Sequence, residues 1–497
     1  MGCNLAGTVQ QSGTPTSPSR LVGNTPSAGI TASPSNGNPT ATIPPMDTAT
    51  QAATTTPALT ATPAPPSDAV VVNTFDQGVY PFQQAGNCSL GAAIQTVLTQ
   101  QGVDQCSLPP GSTTVYMPTG TYTLTQSDDA PAFLFGKTQK NREGLLPAGF
   151  PLVASQLTIL GNGSTIQRTG PVKFGIFQVF VAGNLTLKDL TITGGDLSDT
   201  QDGAGGALDI LGGAVTLDHV TLTGNQAKTG GAIENSVDVA GISTTLIDTL
   251  VTKNISSGEG GGIDNSGVLT LQDSQVADNI SKATVFGGGG IYNDSGQVTL
   301  DHSQLVGNIA NEGGGIYSEN GTVKITDQSV ISGNVATENH PFIPNGGAGI
   351  NSTGYIGSDD TPAELIIQDS FVIGNQAPAA VGGGIFSDAS LTVTDSVLAD
   401  NVAGAGGGLY NYTNGLGSLK GSCILQNQAV AVTPKGFGNG VENDNTQSFN
   451  ARQDWWGSAT GPGNSITRNI TATPFLNSAP DICVAGLPTP YPTPMNP

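Results

Sequence analysis

One repeated phrase constrains this chain more than any other feature. GGGIDNSGVLTLQDSQVADN from Gly260 returns as GGGIYNDSGQVTLDHSQLVGN from Gly288 and as GGGIYSENGTVKITDQSVISGN from Gly313. Aligned on the closing asparagine, the repeats end at Asn225, Asn254, Asn279, Asn308, Asn334, Asn375, Asn401 and Asn427. Those residues stand mostly 25 to 29 apart, with one 41-residue interval around an insertion. An aliphatic residue lies three before each (Leu222, Val276, Leu305), and Ser recurs five before, as at Ser274, Ser303, Ser396 and Ser422.

Short period-2 strands broken by Gly and Asn at this interval predict a parallel β-solenoid with one coil per repeat. Coils stack at the strand spacing of about 4.8 Å, so equivalent positions lie directly above one another. An aliphatic column then fills the core, and the asparagine column forms an internal hydrogen-bonded ladder. The 70 glycines permit positive φ and close backbone contact, and that density rules out helical repeats. No LxxLxLxxN pattern appears, which rules out a leucine-rich horseshoe. The expected class is all-β, a single-stranded right-handed parallel β-helix of eleven or twelve coils.

Five segments are expected. Residues 1–68 are a Thr/Pro/Ser-rich stalk that cannot bury enough apolar surface to order itself. Residues 69–202 hold an N-terminal cap and the first coils, with NCSLGAAIQTVLTQQG as an amphipathic helix capped by Asn87 or Ser89. Residues 203–430 are the repeats, 431–486 the last coils and a C-terminal cap around DWWGSATGPG, and 487–497 a Pro-rich tail. Caps are needed because open solenoid ends pair with other chains.

The cysteines fall into two close pairs, Cys88 with Cys106 and Cys423 with Cys483, expected as disulfides of an exported protein. Cys3, in MGCNLAG, is the candidate lipidation site, since this start resembles the mature end of a bacterial lipoprotein. The expected location is extracellular or at the surface of a bacterial envelope. With 15 Lys and Arg against 37 Asp and Glu, nucleic acid is not an expected partner. No stretch reaches the roughly 20 apolar residues of a membrane-spanning helix.

GNCSLGAAI followed by VYMPTGTYTLT resembles the CSLREA-type segment that opens many bacterial surface β-helix proteins, with Gly91 and Ala92 in place of its Arg-Glu. The GGGI…GN repeats are similar to those of polymorphic outer-membrane proteins, although an aliphatic-x-x-Asn replaces their FxxN. Trp455-Trp456-Gly457 with Gly461-Pro462 looks like the WWG…GP closing element of such domains. The resemblance implies a pectate-lyase-like β-helix and export. It implies no single function, because that fold hosts lyases, hydrolases and adhesins alike.

Function is sought in the letters that change. After each Gly run, one residue points inward and the next outward. The outward column reads Asp209, Glu234, Asp264, Tyr292, Tyr317, Asn351, Phe386 and Tyr410. Tyr292, Tyr317, Phe386 and Tyr410 are candidate ligand-binding residues, a track on which sugar rings stack. Asp209, Glu234 and Asp264 are the candidate catalytic acids of a polysaccharide lyase or glycoside hydrolase, with Lys228 or Lys253 nearby in sequence, or candidate Ca²⁺ ligands. The plainer reading is that the rings brace the strands and the acids are solvated. His219 and His302 share a turn position with Asp248, Asp273, Asp369 and Asp395 and read as polar turn residues. No cofactor is expected. The expectation is a non-catalytic binding or adhesion module with polysaccharide or a cell-surface glycan as ligand. The alternatives are a carbohydrate-cleaving enzyme and a structural envelope rod.

Overall fold

The computed structural model describes residues 64–77, 87–128, 132–134, 137–139, 145–236, 241–337, 346–354, 363–413, 415–430, 438–467 and 469–484. Cys3, the tail 487–497, all of the stalk before residue 64 and much of the insertion from Phe342 to Pro362 lie outside the described residues.

The described chain winds into a right-handed parallel β-helix, the hand that parallel crossovers take in nearly all sheets. The repeat around Gln272 traces one coil. Val268–Gln272 runs to a corner at Asp273 (φ 48°), Gln275–Ala277 runs to a second corner at Asp278 (φ 54°), and Ile280–Ser281 leads through the Gly run to Ile291–Asp294. The left-handed corner after the first strand is filled rung by rung by Asp or His, including His219, Asp248, His302, Asp369 and Asp395. Short polar side chains tolerate this conformation better than most, which explains the choice at that corner.

Three parallel sheets result. A long sheet takes both strands flanking the first corner and holds 22 strands. A narrow sheet of eight strands runs from Gln226–Ala227 to Gln428–Ala429. A third, of ten strands, runs from Phe177–Val179 to Val441–Asn443. Complete three-sided coils are therefore fewer than the eleven or twelve expected, because the coils near the ends lack a narrow-sheet strand. The one antiparallel pair among the described residues joins Ala132–Leu134 to Lys137–Gln139.

The interior is one continuous apolar column, from Val70 to Ala472. The asparagine column lies beside it as an unbroken ladder. Asn308 shows the pattern: its Nδ2 donates to Asn334 Oδ1 (3.0 Å) and to the Val276 carbonyl (2.9 Å). Its Oδ1 accepts from the backbone N–H and the Nδ2 of Asn279, both at 3.0 Å. The same bonds link Asn225, Asn254, Asn279, Asn308, Asn334, Asn375, Asn401 and Asn427. A carboxamide has two donors and an acceptor oxygen, so it alone can pass a bond up and down the stack while also tying off the corner. A second ladder joins Thr249, Ser274, Ser303 and Ser329, and a third segment runs from Ser370 through Ser396 to Ser422.

In the Gly-rich corners before the third-sheet strands from Gly205 to Gly406, the glycine three residues before the strand's first aliphatic takes positive φ (Gly288, 69°), and the residue after it abuts the next coil. A Cβ on Gly289 would lie 2.4 Å from the Gly314 carbonyl oxygen, so no larger residue fits there.

Both expected disulfides are present, Cys88–Cys106 and Cys423–Cys483. The helix Leu90–Thr99 closes the N-terminal end, with Ser89 Oγ accepting from the Ala92 N–H at 3.2 Å as its cap. At the other end Trp456 joins the core, and Asp454 Oδ1 accepts from the Ser422 N–H at 2.8 Å, terminating the serine ladder. No helix among the described residues is long and apolar enough to cross a membrane.

Candidate functional site

The third sheet brings the expected column into register. Gln178, Asp209, Glu234, Asp264, Tyr292, Tyr317, Asn351, Phe386 and Tyr410 follow one another on successive strands. Their partners one residue on, from Asn235, Asn265 and Asn293 to Asn411, point inward and form their own amide bonds.

The column is not an exposed face. Tyr292 is 9% exposed, and Tyr317, Phe386 and Tyr410 less. The segments entering the Gly runs fold over it. The Phe286 ring lies 5.7 Å from that of Tyr317, and Asn351 Nδ2 donates to Glu312 Oε2 at 3.3 Å. The rings also stack along the helix axis: Tyr292 on Tyr317 at 5.5 Å and 14°, Phe386 on Tyr410 at 6.0 Å and 9°. Ring faces that a sugar would use are thus occupied by other rings. Burial raises the hydroxyl pKa of all three tyrosines, helped at Tyr292 by Glu319 and at Tyr410 by Asp444, whose carboxylates accept their O–H groups. These residues brace the strands, and the open stacking track expected of them is absent.

The acids are sealed as well, which corrects the solvated-acid reading. Asp209 is buried, with Oδ2 accepting from Gln178 Nε2 at 2.8 Å while Oδ1 has no partner. Glu234 is half-buried as a residue, but its Oε2 is enclosed and unpaired. Desolvation lifts Asp209 to about 6. Asp264 rises to about 8 through burial and the charges of Glu259 and Asp294. Glu234 is raised too, by burial first and then by Asp264. Burial, joined at Glu234 by the charge of Asp264, thus makes ionisation of all three acids harder than in water.

The basic residues named with them lie elsewhere. Lys228 Nζ donates to the Gln201 carbonyl, and Lys253 occupies an exposed corner. Among the described residues no group of three or more His, Cys, Asp or Glu is arranged to hold a metal ion, so Asp209, Glu234 and Asp264 do not converge as a Ca²⁺ set.

The open polar surface is on the long sheet. There Thr114, Thr158, Thr186, Thr216, Thr245, Thr270 and Thr299 stand in register, each partly exposed. Beyond the corner, Thr165, Thr191 and Thr221 form a second column, and Thr193, Thr223 and Thr252 a third. Among the described residues none of the seven hydroxyls of the first column is used in a hydrogen bond to the protein. The signal was in the sequence as the threonines of NLTLKDLTIT and AVTLDHVTLT, but alternating Thr is also what any β-strand surface favours.

No protein-family model matches the chain, and no curated protein matches it. The fold and its surfaces define the class, a capped and disulfide-closed parallel β-helix with one hydroxyl-lined face.

Proposed function

We propose that this chain is a non-catalytic binding module of the cell surface or extracellular space, related to the CSLREA-type and polymorphic outer-membrane β-helix proteins, with carbohydrate as its ligand. The seven-rung threonine column carries the reading. Its hydroxyls are evenly spaced at about 4.8 Å, fixed by the sheet, and free to donate and accept. A polymer that repeats hydroxyl groups along its length offers the matching partner, and pre-ordered hydroxyls lose little entropy on binding it. The two disulfides support an oxidising location.

The reading of a carbohydrate-cleaving enzyme keeps one observation in its favour. Asp209, at about 6, and Asp264, at about 8, retain protons where a general acid needs them. For that role the covering segments would have to lift.

The test exposes the oxidised full chain to a panel of neutral and acidic polysaccharides, scoring binding and new reducing ends in the same wells. Binding without cleavage, abolished by combined Thr216→Val, Thr245→Val and Thr270→Val substitution, is the expected result. Cleavage lost in Asp264→Asn would establish the enzyme instead, and no binding to any polymer would leave an envelope rod.

A further inference from the structure

Two residues along each strand from the threonine column, before the corner, the long sheet carries a further outward column. Near its beginning this column pairs opposite charges: Lys188 Nζ and Asp218 Oδ2 meet at 2.7 Å on adjacent rungs. Near its end it does the reverse. Leu419 is in register with Ala451, and the Gly421 N–H donates to the Gln453 carbonyl, which sets Lys420 beside Arg452 on adjacent rungs. Like charges directly opposed in a sheet are destabilising. In a chain with only 15 basic residues and a net charge of −22, two of them placed side by side call for a reason.

Neither cation makes an ion pair among the described residues. The acids on the neighbouring turns do not reach them. Asp395 stands against Gly421, and Asp454 is buried with Oδ1 engaged by the Ser422 N–H. Between the two cations opens a half-enclosed cavity of about 350 Å³, lined by Lys420, Asn450, Arg452, Gln453 and Pro474. That volume lies within the range of small-ligand sites, roughly 300–1,000 Å³. The residues around it carry an ammonium, a planar guanidinium fork and two carboxamides, donor types suited to an oxyanion with two or more oxygens.

We infer that this cavity binds an oxyanion, a carboxylate or a sulfate ester, carried on a saccharide. The saccharide half of the inference rests on the carbohydrate reading above. Its geometric basis is continuity. Asn450 lines the cavity and is in register with Ser418, which is in register with Thr392 on the outward position that the threonines occupy earlier. A chain following that column arrives at the two cations. The charged end then fixes the direction and position of a ligand that hydroxyls alone would let slide.

The experiment is a calorimetric titration of the oxidised full chain with four probes. These are an unsulfated hyaluronan tetrasaccharide, a sulfated galactan tetrasaccharide without uronate, neutral maltotetraose, and inorganic sulfate. At least one of the two charged saccharides is expected to bind at least tenfold tighter than maltotetraose and inorganic sulfate. Lys420→Gln and Arg452→Gln should each weaken it tenfold or more, Arg452→Lys should do so partially, and added salt should weaken it progressively. Because each variant removes a like-charge contact, neither should lower the melting temperature of the ligand-free protein.

Equal binding by wild type and both Gln variants would overturn the assignment, as would failure of both charged saccharides to bind. Sulfate binding as tight as that of the saccharides would reduce the cavity to a bare-anion site and also overturn it. Neutral polysaccharide binding that needs the threonines, with no charged binding, would sink the cavity alone. Charged binding through Lys420 and Arg452 with no neutral binding would sink the threonine face alone.

Discussion

The outer surface of the long sheet differs between its two halves although the interior does not. Up to about Thr299 it is flat, hydroxylated and open. Across the corner from Val330 onward, the positions held earlier by Thr221 and Thr223 become Phe371, Ile373, Val397 and Ala399, and they are covered, while the threonine column itself goes on as Lys324, Ile366, Thr392 and Ser418. Ile482 and Cys483, from the short helix Asp481–Val484, pack on this apolar patch, and the Cys423–Cys483 bridge holds them there. Inside, the same aliphatic column and the same asparagine ladder run through both halves. The solenoid thus separates its duties: stacking is set by the interior, and each stretch of surface is free to change.

The largest effect tests the shared interior. Asn308→Ala removes both donors and the acceptor of one ladder rung, leaving the Asn279 backbone N–H buried without its partner and taking one bond each from Asn279 Nδ2, the Val276 carbonyl and Asn334 Oδ1. With one orphaned amide at roughly 1–3 kcal/mol and three further hydrogen bonds at about 1 kcal/mol each, a loss of about 4 kcal/mol is expected in urea unfolding. Asn401→Ala, in the covered half, should cost the same within about 1 kcal/mol. A large difference would show that the two halves do not share one mechanism of stacking.

Next comes the bridge that defines the covered half. Cys423 and Cys483 are 60 residues apart, and closing a loop of that length lowers the unfolded chain's entropy by the equivalent of about 4 kcal/mol. Reduction, or Cys483→Ser, should cost up to that amount. It should also uncover Phe371 and Val397, read as new binding of an apolar dye before global unfolding. Dye binding that appears at the threonine half instead would reverse the comparison.

The buried acids supply a pH effect of intermediate size. Asp209 has its pKa raised to about 6, above the ordinary 3.8, so the folded state binds more protons than the unfolded chain between those values. Its stabilising share is complete below about pH 4 and disappears as pH rises through 6, and the loss at Asp264 extends to about 8. Stability should therefore fall from pH 5 to pH 8. Asp209→Asn should recover about 3 kcal/mol at pH 8, taking two pKa units at 1.4 kcal/mol each. Stability that is flat over that range, by urea titration at each pH, would mean the acids are solvated after all.

How much of this was readable from the sequence follows from what a repeat encodes. The ladder was legible because every coil must place Asn at the same corner, so the period itself reports it. The register of Asp209 through Tyr410 was legible for the same reason. Their burial was not: the covering segments around Phe286 and Glu312 vary in length from coil to coil, and alternation says which way a side chain points but not what lies over it. The covered half of the long sheet depends on a contact 60 residues away in sequence, which only the Cys423–Cys483 pairing foreshadowed. Lys420 and Arg452 escaped notice because each looks like an ordinary surface residue until the strands are set in register.

The smallest effect on stability is the sharpest test of the open half. Thr245 sits at the centre of the threonine column, with Thr216 and Thr270 on either side. Thr245→Val keeps the β-branched shape and removes only an exposed hydroxyl, so the unfolding free energy should change by less than about 0.5 kcal/mol. Affinity for the bound polysaccharide should nevertheless drop by about fivefold, the cost of one lost hydrogen bond of roughly 1 kcal/mol at a site that remains intact. Thr392→Val makes the same chemical change at the same sheet position, where the neighbours are Ile366 and Ser418 instead of threonines. For a neutral polysaccharide it should leave binding within twofold of wild type if recognition belongs to the uninterrupted column, since only a saccharide anchored at Lys420 and Arg452 passes over Thr392. Equal losses at Thr245 and Thr392 would show that the ligand contacts both halves of the sheet and that continuity of the hydroxyls is not what it reads.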